Sequence, residues 1–402
     1  MRRLTRSVTT LAVGATTALT MLTVPPAAPP AQASGACSNS GTGIPLPFDF
    51  GSLGFPRGGA AQGPQKPLPR YDSGRTRAIS WVTGPLSPNK TFSRFKISGT
   101  DVGVAWDNGR GETLMAFGDT FGNCLRQDRG WRNNVLLRTT DRNLADGLTL
   151  TRTGYAGKMI GAVGYSGIEK TKIPTAGIAI GGTQYVNYMS VRAWGPPSHW
   201  DTNYSATAVS RDNGRTWFTP QSSIRVNVGV DVPLPAGWPS VSAANPLFQQ
   251  SAYLKGVGDE AGWIYQYGTP SGRFGSAHIA RFRPGDITEP SRHEYWTGTR
   301  WARGARPAPI VRGPVTELSV AWSPYLRKYV MLDSPRGVLL RTADRPQGPW
   351  SRPQRVVSPS LELYAPMMLP QSPALTGSGP ELYFNASRWD DYNVALIRTR
   401  VR

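Results

Sequence analysis

The chain has 402 residues, 39% hydrophobic and 17% charged, a balance that can bury a sizeable core and excludes both a coiled coil and a disordered polyelectrolyte. It holds 45 Gly, 36 Pro, 13 Trp and 15 Tyr; turn formers and flat aromatics at that level exclude an all-α protein and favour many short strands. The formal charge of +20, from 45 Lys and Arg against 25 Asp and Glu, draws the protein toward acidic polymers.

The N-terminus reads as a targeting segment. Arg2, Arg3 and Arg6 precede an apolar, Thr-interspersed run from Val8 to Val24, and Ala31-Gln32-Ala33 offers a small-x-small cleavage site. Residues 1–33 are therefore expected to be a secretory signal peptide, removed on export. A retained anchor fits less well, because Thr and Gly dilute the run and Pro25, Pro26, Pro29 and Pro30 follow it. The protein is expected to be secreted or wall-associated, with no transmembrane segment after cleavage. Residues 34–70 are rich in Gly, Pro and Ser without periodicity and read as a linker or strap, leaving 71–402 as the domain proper. Cys37 and Cys124 are the only cysteines; in an oxidising compartment one disulfide is the simplest outcome, two free thiols the alternative.

The next segment is a hairpin. Thr100–Trp106 and Glu112–Gly122 are extended runs flanking Asp107-Asn108-Gly109-Arg110-Gly111, strong turn chemistry with Asn-Gly at its heart. A midpoint near Arg110 sets Asp101 opposite Asp119, Gly103 opposite Phe117 and Ala105 opposite Met115, with all six side chains on one face. Opposed residues have Cβ atoms about 4.5 to 5.5 Å apart, and retaining glycosidases hold their two carboxyl groups about 5 to 5.5 Å apart. Such a hairpin could build a retaining pair by itself, with one pKa raised by the proximity of the other charge. The alternative is that one aspartate caps a turn and the other binds backbone amides or a cation; a slip of one residue would also separate them.

Further along, Ser210-Arg211-Asp212-Asn213-Gly214-Arg215-Thr216-Trp217 is a complete Asp-box, S-x-D-x-G-x-T-W, a hairpin turn common outside propeller blades and away from the chemistry. Arg341–Trp350 is a degenerate relative. Five segments pair a short apolar strand with a basic residue, at Arg138, Arg211, Arg281, Arg341 and Arg398, spaced by 73, 70, 60 and 57 residues. That repeat suits four-stranded blades with generous loops, and an all-β, five-bladed β-propeller is the expected fold.

The same stretches carry a resemblance. Thr100–Gly122, Trp131–Leu136, Asn203-Tyr204-Ser205, Asn245–Tyr253, Tyr364–Met368, Leu382–Asn385 and Trp389–Val394 occur in order, and together resemble the endo-D-arabinanases of glycoside hydrolase family 183, long catalogued as a domain of unknown function in mycobacteria and their relatives. The resemblance covers about 71–402. It implies a five-bladed propeller that cleaves internal α-D-arabinofuranosyl linkages of arabinogalactan and lipoarabinomannan with retention, using two first-blade aspartates that fall on Asp101 and Asp119. By analogy with other furanoside-cleaving propellers, Asp101 is the nucleophile and Asp119 the acid/base.

Candidates for gripping ring hydroxyls are Asn134, Asn203, Gln250 and Glu317, with Trp131 and Tyr253 as apolar platforms, each alternatively an ordinary core or loop residue. Trp389 and Asp390 read as packing. The implied partner is D-arabinan of a mycobacterial-type wall, with no nucleic acid and a monomer expected. His199, His278 and His293 are scattered without metal-ligand spacing, so neither a metal nor any other cofactor is expected. Two other classes stay open: a non-catalytic wall-binding propeller, and a sialidase-like hydrolase, which would need an arginine cluster and a Tyr-Glu nucleophile pair.

Overall fold

The computed structural model describes residues 65–122, 130–227 and 242–402. The signal segment, Cys37 and Cys124, and with them the disulfide expectation, lie outside the described residues. The described residues form five antiparallel sheets arranged as a β-propeller, with two short α-helices and a few single turns of 3-10 helix between strands. The first strand, β1 (Thr76–Trp81), belongs to the last blade. Blade one is β2 (Val102–Asp107), β3 (Thr113–Phe117) and β4 (Val135–Thr139). Blade two is β5 (Thr171–Ile180), β6 (Thr183–Trp194), β7 (Trp200–Ser210) and β8 (Arg225–Val226). Blade three is β9 (Gln250–Lys255), β10 (Ile264–Thr269), β11 (His278–Phe282), β12 (Glu294–Trp296) and β13 (Trp301–Arg303). Blade four is β14 (Ser319–Ser323), β15 (Lys328–Asp333), β16 (Val338–Ala343) and β17 (Gln354–Val357). Blade five is β18 (Leu363–Met368), β19 (Glu381–Arg388) and β20 (Asn393–Arg400), with β1 on its outer edge.

The innermost strands β2, β5, β9, β14 and β18 pack in succession around an axis, and β18 returns to β2. Apolar faces meet between the blades: Val104, Trp106, Ile173 and Met367 lie in one such cluster, and Val330, Leu340, Leu363 and Phe384 in another. Closure leaves blade five to be completed by β1, which pairs antiparallel with β20 from Thr76↔Thr399 to Trp81↔Ala395. The chain just before β1 is pinned to the same blade: Lys66 N–H donates to Asp391 Oδ1 at 2.7 Å, and the Trp81 indole donates to the Lys66 carbonyl at 3.1 Å. The ring is thereby fastened by backbone pairing between the two ends of the domain, which also covers an edge that would otherwise be open.

The five-fold repeat of basic residues maps onto third strands. Arg138, Arg281, Arg341 and Arg398 lie in β4, β11, β16 and β20, and Arg211 follows the end of β7. Three of them neutralise a carboxylate: Arg138 with Glu112 (3.2 Å), Arg281 with Glu294 (2.8 Å) and Arg341 with Asp333 (2.5 Å). The Asp-box joins β7 to β8, at the opposite end of the blade from the start of β5. Its Asp212 accepts from the Ser210 hydroxyl, the Arg215 and Thr216 amides and the Thr216 hydroxyl, and these donors hold its carboxyl well below the usual range. Arg341–Trp350 spans the end of β16 and the equivalent turn of blade four that leads to β17.

The Arg341–Asp333 pair is buried on both sides. Arg341→Met leaves a buried carboxylate without its cation and should cost about 3–5 kcal/mol, measured by denaturant unfolding. The double change Arg341→Met with Asp333→Leu should recover most of that loss; equal losses in both proteins would show that packing, not charge, is at stake.

Candidate active site

The hairpin of blade one reaches the axis with a defect. Ala105↔Met115, Trp106↔Leu114 and Asp107↔Thr113 pair in the expected register, but Val102, not Gly103, lies opposite Phe117. A β-bulge at Val102-Gly103 absorbs the extra residue, with both at positive φ (67° and 74°). Glycine takes that conformation freely, whereas the β-branched Val102 is strained there. Two contacts from β19 hold the bulge: the Val102 amide donates to Ser387 Oγ at 2.8 Å, and Asn385 Nδ2 donates to the Gly103 carbonyl at 3.0 Å.

The expected opposition of Asp101 to Asp119 is therefore corrected. The Gly118 amide donates to the Asp101 carbonyl, so Asp101 faces Gly118, and its carboxylate lies over Gly118 where any side chain would collide with it. Beyond the bulge the register is restored, with the Thr100 and Thr120 hydroxyls bonded at 2.7 Å and Gly99 bridging Phe121.

The two carboxyls nonetheless share one electrostatic site. Asp101 is pushed up to about 8, first by burial and then by the charge of Asp119, with Glu317 adding to the rise; the Tyr364 and Tyr392 hydroxyls oppose it by donating to Asp101. The Tyr364 hydroxyl bonds Asp101 Oδ2 at 2.9 Å. Asp119 is pushed up to about 7 by burial, against donation from Thr171 and Trp131 and the nearby charge of Lys170. Thr171 Oγ1 reaches Asp119 Oδ1 at 2.6 Å. The repulsion between the carboxyls is one interaction, so they titrate as a pair that holds a proton through neutral pH.

Elements of every neighbouring blade complete the surroundings. Glu317, just before β14, takes Arg273 Nη1 at 3.3 Å from both its oxygens, with the hydrogen bond to Oε1. Arg273 also donates to the Ser334 carbonyl at 2.9 Å and lies over the rings of Tyr364 and Trp389. Tyr364 stacks on Trp389 with centroids 3.9 Å apart. The arrangement is an acidic mouth at the starts of the inner strands, walled by aromatic rings and countered by Arg273 and Lys170.

Among the residues named from sequence, Asp101, Asp119, Trp131 and Glu317 come together here. Trp131 is half-buried, bonds Asp119 and carries the ammonium groups of Lys158 and Lys170 within 6 Å of its ring. Asn134 is fully buried and spends its amide on the backbone of Met159, Ile160 and Lys172. Asn203 donates to the Ile168 carbonyl and the Ser190 hydroxyl, beside Glu169 rather than the acid pair. Gln250 ties down the loop after β10 through the Pro270 and Gly272 carbonyls. Tyr253 is buried midway along β9, bonded to Thr207. Trp389, read from sequence as packing, backs the tyrosine that holds Asp101. Sequence reasoning did not single out Tyr364, Tyr392, Thr171, Lys170 or Arg273; two of these, Tyr364 and Tyr392, lie inside motifs it quoted.

Residues 86–398 match the family model described as a domain of unknown function, DUF4185. The chain belongs to the DUF4185 family. It is 26% identical over 326 residues to "Notoamide biosynthesis cluster protein J" of Aspergillus sp. (strain MF297-2), covering 74% of this chain and 81% of that protein. A second relative, "Notoamide biosynthesis cluster protein J'" of Aspergillus versicolor, is 24% identical over 324 residues, covering 74% and 82%. Among solved structures, a "putative hydrolase" from Bacteroides ovatus ATCC 8483 is similar in fold, with a TM-score of 0.53, 13% identity and coverage of 83% of this chain and 93% of that one.

Both carboxyls titrate above their ordinary 3.8, so between about pH 4 and 8 the folded state binds more protons than the unfolded, and the pair's contribution to stability falls as pH rises. Asp101→Asn removes the share of that dependence that Asp101 contributes. Its melting temperature should exceed that of the parent protein at pH 8, with the gap closing toward pH 4; a gap independent of pH would mean that the two groups titrate as isolated aspartates.

Proposed function

We propose that this propeller is a glycoside hydrolase acting inside D-arabinan chains, with Asp101 and Asp119 as its catalytic pair. One observation carries the reading: two carboxyls of one hairpin meet where the inner strands begin, Asp119 buried and Asp101 half-buried, and both are pushed well above the ordinary carboxylate range, Asp101 by burial and the charge of Asp119, Asp119 by burial. A retaining mechanism begins from one carboxylate and one carboxylic acid; Asp101 is raised the further of the two, so the assignment of nucleophile and acid rests on the analogy with furanoside-cleaving propellers and not on these shifts. Asp101 attacks the anomeric carbon while Asp119 protonates the departing glycosidic oxygen, forming a covalent glycosyl ester. Asp119 then takes a proton from water, which displaces Asp101 with net retention. The hydroxyls of Tyr364 and Tyr392 stabilise Asp101 as the leaving carboxylate, and Trp131 offers an apolar face to the sugar beside Asp119.

The ordered motifs that resemble those of the endo-D-arabinanases support the substrate class, and the N-terminal segment supports export to a wall where such a polymer occurs. A purely binding propeller has no use for a pair of carboxyls whose burial lowers its stability. A sialidase needs a set of free arginines; Arg273 at this mouth is already engaged by Glu317 and Ser334. A second mechanism is favoured by one feature. Glu317 raises the pKa of Asp101 and supplies a third carboxylate, so an inverting pair of Asp101 with Glu317 is the competing arrangement.

Incubation with mycobacterial arabinogalactan should release a ladder of short arabinan oligosaccharides. Asp119→Asn should lower the rate about 10²–10⁴-fold and Asp101→Asn should abolish it, both with unchanged circular dichroism. Proton NMR of the first product should show the α anomer. Initial β product with Glu317→Gln inactive would transfer the acid role to Glu317, and binding without release would replace the hydrolase by a binding module.

A further inference from the structure

We infer that the face bearing the acid pair carries a second sugar-contacting site, the exposed ring of Phe274 backed by His199, which takes a unit of the same glycan chain some distance from the bond being cleaved. The identity of that chain rests on the hydrolase reading above. Phe274 is 59% exposed. It sits on the loop between β10 and β11, directly after Arg273, whose guanidinium reaches Glu317 at the acidic mouth. One face of its ring packs on His199, with centroids 4.6 Å apart and planes inclined by 32°, which leaves the other face open.

A lone exposed aromatic needs no explanation. What sets this one apart is how firmly it is held. His199 lies on the loop between β6 and β7, where Pro196 and Pro197 restrict the backbone, the His199 amide bonds the Pro196 carbonyl at 2.9 Å, and the Gly195 amide bonds the His199 carbonyl at 3.0 Å. This blade-two loop is fastened to the blade-three loop by the Arg273 amide, which donates to the Ser198 carbonyl at 3.1 Å. From beneath, Gln250 Nε2 binds the carbonyls of Pro270 and Gly272 at 3.0 and 2.9 Å. Two blades thus fix a flat apolar surface beside the acid cluster. A surface already ordered loses little entropy on capturing a ligand, and the C–H face of a sugar ring is the apolar partner an aromatic platform suits. On the same β6–β7 hairpin, Trp194 is 46% exposed and packs edge-on to Trp200 at 5.8 Å. Gln250, read from sequence as a sugar ligand, serves this site indirectly by holding its loop.

The test compares the parent protein with Phe274→Ala and Phe274→Trp on debranched D-arabinan polymer and on an aryl α-D-arabinofuranoside. The ratio of kcat/KM for polymer to that for aryl glycoside should fall about three- to tenfold in Phe274→Ala, through KM for the polymer, and Phe274→Trp should restore it. Native gels containing D-arabinan should show weaker retardation of Phe274→Ala than of the parent protein. An unchanged ratio with unchanged retardation overturns the inference. Should the parent protein cleave neither substrate, the hydrolase reading fails by itself, and gel retardation decides the platform: weaker retardation of Phe274→Ala upholds it, and equal or no retardation of both proteins ends it.

Discussion

The grip of blade five on the first strand of blade one is the constraint on which the site depends. Ser387 and Asn385 of β19 hold the Val102-Gly103 bulge, and Tyr364 of β18 holds the carboxylate of Asp101 that the bulge redirects. Neither blade could set this geometry alone, because the strained φ of Val102 persists only where surrounding contacts over-determine it. Since blade five is itself completed by β1, the pairing that closes the ring also stabilises the blade that positions the acid pair. Stability and chemistry share one seam.

The electrostatics of the mouth follow from that placement. Burial raises both aspartates, the charge of Asp119 adds to the rise of Asp101, and apart from Trp131 of blade one the opposing influences come from other blades: Thr171 and Lys170 from the start of blade two, Tyr364 and Tyr392 from blade five. Arg273 arrives from blade three to meet Glu317 at the start of blade four. The axis of a propeller is where five inner strands begin side by side, so a single opening can collect one or two side chains from each blade. A retained proton on a buried carboxyl pair lowers stability at neutral pH, a cost concentrated where a catalytic acid is needed.

Much of this was legible in the residues. The five arginine-bearing segments all proved to be third strands or their ends, because a repeated blade needs the same apolar alternation and the same edge chemistry each time. The Asp-box turned out to be a β7–β8 hairpin, its Asp212 carboxylate capping the amides of its own turn, an interaction local enough to be written in eight consecutive residues. The Asn-Gly turn of blade one set the hairpin register correctly for the pairs nearest to it. Reasoning from spacing went astray at Gly103, where an alternating pattern cannot announce an inserted residue; the Asn134 and Gln250 amides, expected to grip sugar hydroxyls, are taken up by backbone partners distant in sequence, and Tyr253, expected as an apolar platform, is buried along its strand.

By itself the sequence determined the class of fold, the number of blades, the register of the turn-proximal hairpin pairs and the presence of two aspartates on that hairpin, since each depends on periodicity or turn chemistry within a few residues. Only the tertiary structure decided how those aspartates meet and which groups tune them. Asp101 lies 263 residues from Tyr364 along the chain, and contacts of that separation are set by ring closure and packing between blades, not by local preference.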